Sequence, residues 1–324
     1  MEKLERISFI HFETQYLAHP VEEQIVGDKI QKRLEKLGIN VINPFARSDD
    51  DPIEWRWTTH SIEDARRVVE RDLGWIRESD AVFAYVPEAK ACGTMMEIFA
   101  ASKLMDKPVF IFTHQQYRFH PWLMYFGQVF TDMEFMFEVL ELRKQLENFG
   151  FRIAFTGRMG TGKSTLSDFL IKSFGFKHYN FAAKLKEIAS DLLGMTAKDR
   201  ILLQTLGTKV REVQQDAWAN FVGRQIEAEA PLRATIDDAR YLNEAAVLKE
   251  NGFTLVRLTA DVGARKSRRI IGFNPQTDTH PSETETDKIE VDYELDTSDS
   301  VDACYAKVIG LLKELSKKIE QNPA

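Results

Sequence analysis

The sequence predicts an α/β protein of two domains, each a mostly parallel sheet flanked by helices. Three observations carry this. The chain has 324 residues, about twice the usual domain length of ~100–200. Short apolar, β-rich runs alternate with stretches of helical period, the mark of strand–helix–strand units. That alternation runs twice, with a charged, helix-favouring stretch between the series, which sets domains of 1–148 and 149–324.

In the first series, residues 7–12 and 39–42 read as short buried strands around a helix over 21–37, which stops at the C-cap candidate Gly38. A helix over 62–77 leads into a strand at 81–86, a helix over 94–105 into a strand at 108–112, and a helix over 132–146 closes the domain. The segment 45–60, with three successive aspartates, Pro52, Trp55 and Trp57, is long for a connection, and such loops commonly carry function. Its Arg47 and Arg56 suit a phosphate and its tryptophans a base, or all four form a packed flap.

The second series opens with a strand at 151–156, a glycine turn and a helix over 163–174, and helical segments continue to about residue 230. Strands at 234–236, 253–258 and 291–295 follow, with helices over 242–249 and 264–271 between them and a closing helix over 301–319.

A composition of 44% hydrophobic and 29% charged residues is globular and excludes a disordered or collagenous chain. The 43 basic and 50 acidic residues sum to −7, which offers no broad basic face to a nucleic-acid polymer. Small-molecule nucleotides are the expected partners. No apolar run approaches a membrane span, and Cys92 and Cys304 are too few for a disulfide framework. Both points suit a protein of the cytoplasm.

The segment GRMGTGKS matches the G-x-x-x-x-G-K-[ST] pattern in full and stands between a strand and a helix pattern. Gly157, Gly160 and Gly162 let backbone N–H groups converge on an anion, Thr161 completes the turn, and the helix N-terminus adds partial positive charge. Lys163 is placed to reach the β- and γ-phosphates of ATP, Ser164 to ligate Mg²⁺, and Thr165 extends the phosphate-binding turn.

A monophosphate acceptor needs cations for its phosphate and flat faces for its base. Lys184, Lys186, Arg211, Phe181 and Trp218 offer both, although the two aromatics equally suit a core. Asp237 and Asp238 end the strand pattern ATIDD at the carboxyl edge, where ligands collect. Asp238 is the favoured metal or catalytic carboxylate, with its neighbour pairing with Arg240. Arg265, Lys266, Arg268 and Arg269 put four cations in five residues. Arg265 and Arg269 would share one helix face as a lid over ATP, or the run is a solvated surface.

Residues 151–318 resemble the deoxynucleoside monophosphate kinases of bacteriophages. The resemblance rests on Phe181-Ala182 with Lys184-Leu185-Lys186, Leu203-Gln204 with Gly207-Thr208 and Arg211, Trp218, Asp238-x-Arg240 with Asn243-Glu244, and His280-Pro281-Ser282-Glu283. It implies ATP-dependent phosphorylation of a deoxynucleoside monophosphate, with Gln204 and Arg240 at the substrate, in a bacterial or phage-infected cell.

In the first domain, the stretch SDAVFAYVPEAKACGTMMEIFAASKLMDKPVFIF resembles the nucleoside 2-deoxyribosyltransferase and nucleotide N-glycosidase superfamily over residues 5–113. The resemblance implies that Glu97 is the nucleophile toward the deoxyribosyl carbon and that Asp72 assists at the sugar or base. A carboxylate suits the oxocarbenium-like charge that such cleavage develops. Thr94-Met95-Met96-Glu97 is also a T-x-x-E capping box, in which Glu97 would merely bind the start of its own helix. Ala91 stands where transferases of this family commonly carry an aspartate, which shifts the expectation toward hydrolysis or slow chemistry.

Two readings of the whole follow. In the first, a kinase domain is joined to a domain that binds or cleaves deoxynucleotides. In the second, a P-loop kinase of another small metabolite is joined to a non-catalytic nucleotide sensor or dimerisation unit, which leaves a homo-oligomer through the N-terminal domain open.

Overall fold

In the computed structural model the chain divides into two compact units, Met1–Asn148 and Phe149–Ala324. The structure describes residues 12–45, 61–88, 91–197, 199–268 and 284–321. Among them no helix is long and apolar enough to cross a membrane.

The first unit is built from strand β1 (Thr14–Ala18), helix α1 (Gln24–Lys36), β2 (Asn40–Ile42), α2 (Ile62–Glu78), β3 (Ala81–Val86), α3 (Cys92–Phe99), β4 (Val109–Thr113), α4 (Pro121–Phe126), β5 (Gln128–Phe130) and α5 (Met133–Gln145). The strands pair in parallel in the order β2-β1-β3-β4-β5. Helices cover a parallel sheet on both faces, so its inner strands are largely buried, and every residue of β3 is. The chain runs from β1 outward to β2 and returns past β1 to β3. Its topological switch point therefore lies between β1 and β3, where ligands gather at the carboxyl ends of strands.

One expectation is corrected here, and another falls mostly outside the described residues. The first described strand is Thr14–Ala18, whereas most of the segment read as a strand, 7–12, lies outside the described residues. Gln15 is fully buried within β1 and breaks the apolar signature that a buried strand would otherwise show. The helix expected from residue 94 begins at Cys92 and continues beyond Phe99 as a π turn, Ala100–Leu104. The sequence reading also passed over α4 and β5, which are six and three residues long.

The second unit comprises β6 (Phe151–Thr156), α6 (Lys163–Phe174), β7 (Lys177–Tyr179), α7 (Phe181–Asp191), α8 (Arg200–Val213), α9 (Ala217–Glu229), β8 (Arg233–Ile236), α10 (Leu242–Glu250), β9 (Thr254–Thr259), α11 (Val262–Ser267), β10 (Tyr293–Asp296) and α12 (Val301–Gln321). Its parallel sheet has the order β10-β9-β6-β8-β7. β6 lies at the centre, and Ala154 of β6 is in register with Ile236 of β8. The turn after β6 and the residues after β8 therefore emerge side by side at one edge of the sheet. The helix expected over 264–271 is seen as Val262–Ser267. Residues 269–283, which include Arg269 and the His280-to-Glu283 segment, lie outside the described residues.

Candidate active sites

The loop after β6 has the geometry that its glycines predict. Gly157, Gly160 and Gly162 have φ of 125°, 85° and 86°, a region that side chains rarely enter. A Cβ on Gly157 would meet the Leu258 carbonyl oxygen of β9 at 2.3 Å, so neither the conformation nor the space admits another residue. Gly162 ends the loop as the N-cap of α6. Lys163 is buried, and its Nζ donates to the carbonyls of Gly157 at 2.6 Å and Arg158 at 2.9 Å. Its ammonium thus lies in the concavity formed by the loop.

Three side chains hold this loop from outside. Arg265 donates from Nε to the Met159 carbonyl at 2.9 Å, Arg268 donates to the Gly160 carbonyl, and the Thr297 hydroxyl donates to the carbonyl of Thr161 at 2.8 Å. Arg265, expected to act as a lid, is thus engaged with the loop backbone.

The two strand-end aspartates have separate roles, and the expectation for Asp238 is corrected. Its carboxylate accepts from the backbone amides of Phe181 at 3.1 Å and Ala182 at 3.0 Å, the first residues of α7. It caps that helix and complements its dipole. Burial nonetheless raises its pKa against those two bonds. Asp237 is the residue that faces the phosphate loop. It lies close to the Ser164 hydroxyl and accepts from His178 Nε2 at 2.8 Å. Burial alone would raise Asp237, but the bond from His178 and the Ser164 hydroxyl, with the charges of His178 and Lys163, outweigh it and hold the carboxyl below its ordinary range. The Asp237 hydrogen bond raises the His178 pKa in turn.

On the acceptor side, Phe181 and Trp218 are 4% and 6% exposed. Phe181 belongs to the core, and the indole N–H of Trp218 donates to the Gly207 carbonyl, so neither offers a free stacking face. Their area is worth more buried against α8 and α9 than in a cleft. Lys184 pairs with Glu187 at 2.7 Å, one turn along α7, and Gln204 is exposed on α8. Lys186 lies close enough to His178 for its charge to be felt there. Arg211 donates to Glu244 at 3.3 Å and lies 4.2 Å above the Tyr241 ring. Burial raises the Glu244 pKa to about 7, against the amide bonds of Arg240 and Tyr241. Arg211, Arg240, Glu244 and Asp238 thus form one charged cluster, in which Glu244 was singled out in the sequence only by resemblance.

In the first unit, Glu97 is not a capping residue. α3 starts at Cys92 with Ala91 at its N-cap and no side-chain cap, so Glu97 falls in the second turn, and Thr94 is buried. Glu97 instead accepts a hydrogen bond from the Tyr16 hydroxyl at 2.7 Å, across the switch point between β1 and the element after β3. The residue keeps some surface, but its carboxyl is enclosed, and burial raises the pKa to about 7. The Tyr16 bond works against that shift, the Asp72 charge adds to it, and Arg71 opposes it. Asp72 is held by its neighbour, with Arg71 Nε and Nη2 at 3.0 and 2.7 Å, and the same guanidinium lies 4.3 Å over Trp75. A tyrosine hydroxyl, two carboxylates and one guanidinium therefore converge where the sequence offered only the carboxylates. Arg47, Trp55, Arg56 and Trp57 lie outside the described residues.

Among solved structures, a 2-deoxyribosyltransferase from Bacillus psychrosaccharolyticus is 27% identical over 31% of this chain and 72% of its own, with a TM-score of 0.26. A gluconokinase from Sinorhizobium meliloti is 16% identical over 54% of this chain and 99% of its own (TM-score 0.39). A shikimate kinase from Acinetobacter baumannii, in complex with shikimate, is 17% identical over 56% and 98% (TM-score 0.35). No curated protein matches the chain. The family model of the nucleoside 2-deoxyribosyltransferases matches residues 15–168, a little under half of the chain, which takes in Tyr16, Asp72 and Glu97. The N-terminal part of this chain is a nucleoside 2-deoxyribosyltransferase-like domain.

Proposed function

We propose that the second unit transfers the γ-phosphate of ATP to a deoxynucleoside monophosphate and that the first unit cleaves the N-glycosidic bond of a deoxynucleotide. The observation that supports the kinase reading is the meeting of Lys163, Ser164 and Asp237 at the carboxyl edge of the sheet. Phosphoryl transfer asks little covalent chemistry of a protein and much positioning and charge stabilisation. Lys163 would exchange its two carbonyl partners for β- and γ-phosphate oxygens. An acceptor phosphate oxygen attacks the γ-phosphorus, the bond to the β,γ-bridging oxygen breaks, and ADP leaves. A hydroxyl and an ionised carboxylate are hard oxygen donors that fit Mg²⁺, and Ser164 and Asp237 would hold it. Bound there, Mg²⁺ would neutralise phosphate charge. Lys186, Arg211 and Arg240 supply cations on the acceptor side.

In the first unit, the ionised Glu97 carboxylate attacks the anomeric carbon of the deoxyribosyl group, the carbon–nitrogen bond breaks, and the base leaves. Water then releases the sugar phosphate. Tyr16 orients the nucleophile, and Asp72 serves the sugar or base. Ala91 favours hydrolysis over exchange between bases.

The burial of Phe181 and Trp218 removes the aromatic argument for a base-bearing acceptor. A small phosphorylated or hydroxylated metabolite is therefore the second acceptor class to test. The full chain is incubated with ribo- and deoxyribonucleoside monophosphates, gluconate and shikimate, with and without ATP, and both ADP formation and free base are followed. ADP formation strongest with a deoxynucleoside monophosphate, and ATP-independent base release, are expected. ADP formation with only a non-nucleotide acceptor overturns the kinase assignment, and no base release from any nucleotide overturns that of the first unit.

A further inference from the structure

We propose that His178 is a positioning residue for phosphoryl transfer, whose imidazole fixes Asp237 on Ser164 and away from Lys163. The proposal rests on the kinase reading of this unit and assigns a part in it to a residue of the edge strand β7. β7 and β8 run parallel with His178 in register with Thr235, so the imidazole reaches past the end of β8 to the first residue beyond it. Nε2 meets Asp237 Oδ1 at 2.8 Å. Asp237 is nearly buried, with 11% of its side chain exposed, whereas His178 keeps 38%.

An aspartate at this position has two attractive neighbours. One is the Ser164 hydroxyl, which lies beside Asp237; the other is the Lys163 ammonium, whose charge Asp237 feels. The torsion that turns a carboxylate is broad, so an aspartate held at one point would readily rotate. A turn toward Lys163 would form an ion pair that competes with the phosphates for that ammonium and would take the carboxylate from Ser164. A hydrogen bond at Oδ1 from a second direction removes this freedom. The same logic makes outer partners of metal-side ligands worth about 10–100-fold in affinity or activity. His178 is not needed to hold β7 in the sheet, because Lys177, His178 and Tyr179 are already paired along the ladder with β8.

The test uses the full chain as wild type and as His178→Ala, His178→Gln, Asp237→Asn and the His178→Ala/Asp237→Asn double variant. The readouts are phosphoryl transfer to the best acceptor, thermal unfolding, and the affinity of Mn²⁺ for the complex with a non-hydrolysable ATP analogue, read from the free-ion spin-resonance signal. His178→Ala is expected to lower kcat and Mn²⁺ affinity about 10-fold or more, with a smaller change in the KM for ATP. Glutamine, which can donate to Asp237, should recover most of the loss. The double variant should be no worse than Asp237→Asn, because the two residues act as one unit. The proposal is overturned if His178→Ala keeps kcat and Mn²⁺ affinity within about 2-fold, with or without a fall in the unfolding temperature, or if the two losses add. Should Lys163→Ala be inactive while His178→Ala is not impaired, the kinase reading stands and the proposal alone fails. A wild-type chain that neither binds the analogue nor forms ADP removes both.

Discussion

Glu97→Gln is the perturbation that most directly tests the electrostatics of the first unit. The carboxyl pKa rises from an ordinary 4.5 to about 7 in the folded chain, so the fold favours its protonated form. Below pH 4.5 the group is protonated in both states and Glu97 costs nothing. As pH rises the unfolded chain ionises first, and the stability that the protonated form contributed is lost progressively through pH 7. With about 1.4 kcal/mol per pKa unit, the loss is about 1 kcal/mol at pH 5 and about 3 kcal/mol at pH 8. Glutamine keeps an oxygen for the Tyr16 hydroxyl and has no charge to bury. Relative to wild type, the variant should therefore gain about 2 kcal/mol in stability between pH 5 and pH 8. Urea unfolding of both proteins at several pH values measures this, and only the difference counts, because Glu244 has a similarly raised pKa and contributes equally to both. A difference that stays flat across this range refutes the burial argument. A difference of opposite sign would mean that Glu97 is stabilised as the anion. On the proposed mechanism, the same raised pKa should make base release by wild type increase with pH through about 7 before it levels, because only the carboxylate would act as nucleophile.

The remaining predictions concern both units. Lys163→Ala should lower ATP-dependent phosphoryl transfer by at least about 100-fold in a chain whose circular dichroism is unchanged, because charge stabilisation is the main catalytic contribution of such a loop. Gly157→Ala should destabilise the second unit by at least about 2 kcal/mol, measured by chemical unfolding, since its Cβ would meet the Leu258 carbonyl at 2.3 Å with φ at 125°. Trp218→Ala should lower stability by about 3–5 kcal/mol as a core truncation, and in whatever fraction stays folded the acceptor KM should move little. Glu97→Gln should abolish base release from deoxynucleotides while leaving phosphoryl transfer at the parental rate, checked on one preparation by chromatography of both products.

The sheets and the phosphate loop were legible because they are written locally. The run 151–156, the glycines after it and the helix from Lys163 to Phe174 carry period and punctuation in consecutive residues, and the observed elements coincide with them. What was not legible depends on register between distant segments. Successive side chains leave a strand end in opposite directions, so which of Asp237 and Asp238 turns toward the phosphate loop is decided by the pairing of β8 with β6; the sequence favoured Asp238, which the fold gives to the first amides of α7. His178 sits on a strand of three residues, too short to show a period, and only the fold brings it to Asp237. Tyr16 was missed because the strand read over 7–12 ended before it. Thr94-Met95-Met96-Glu97 had the spacing of a capping box, but the helix start two residues earlier removed that role, and the carboxylate was left for the Tyr16 hydroxyl.

Among the described residues both sheets are open, and an open sheet leaves two rims of unpaired amide and carbonyl groups on which another chain can add a strand. The rims here are short: β2, β5 and β7 have three residues each and β10 has four, whereas the central strands β3, β6 and β9 have six. A template of three or four residues offers an incoming strand few ladder bonds, too few to offset the ordering of its backbone. Crowding many copies together therefore finds little foothold at these rims. Lengthening a rim strand by a few apolar residues would change the colloidal behaviour of the protein without touching either proposed site.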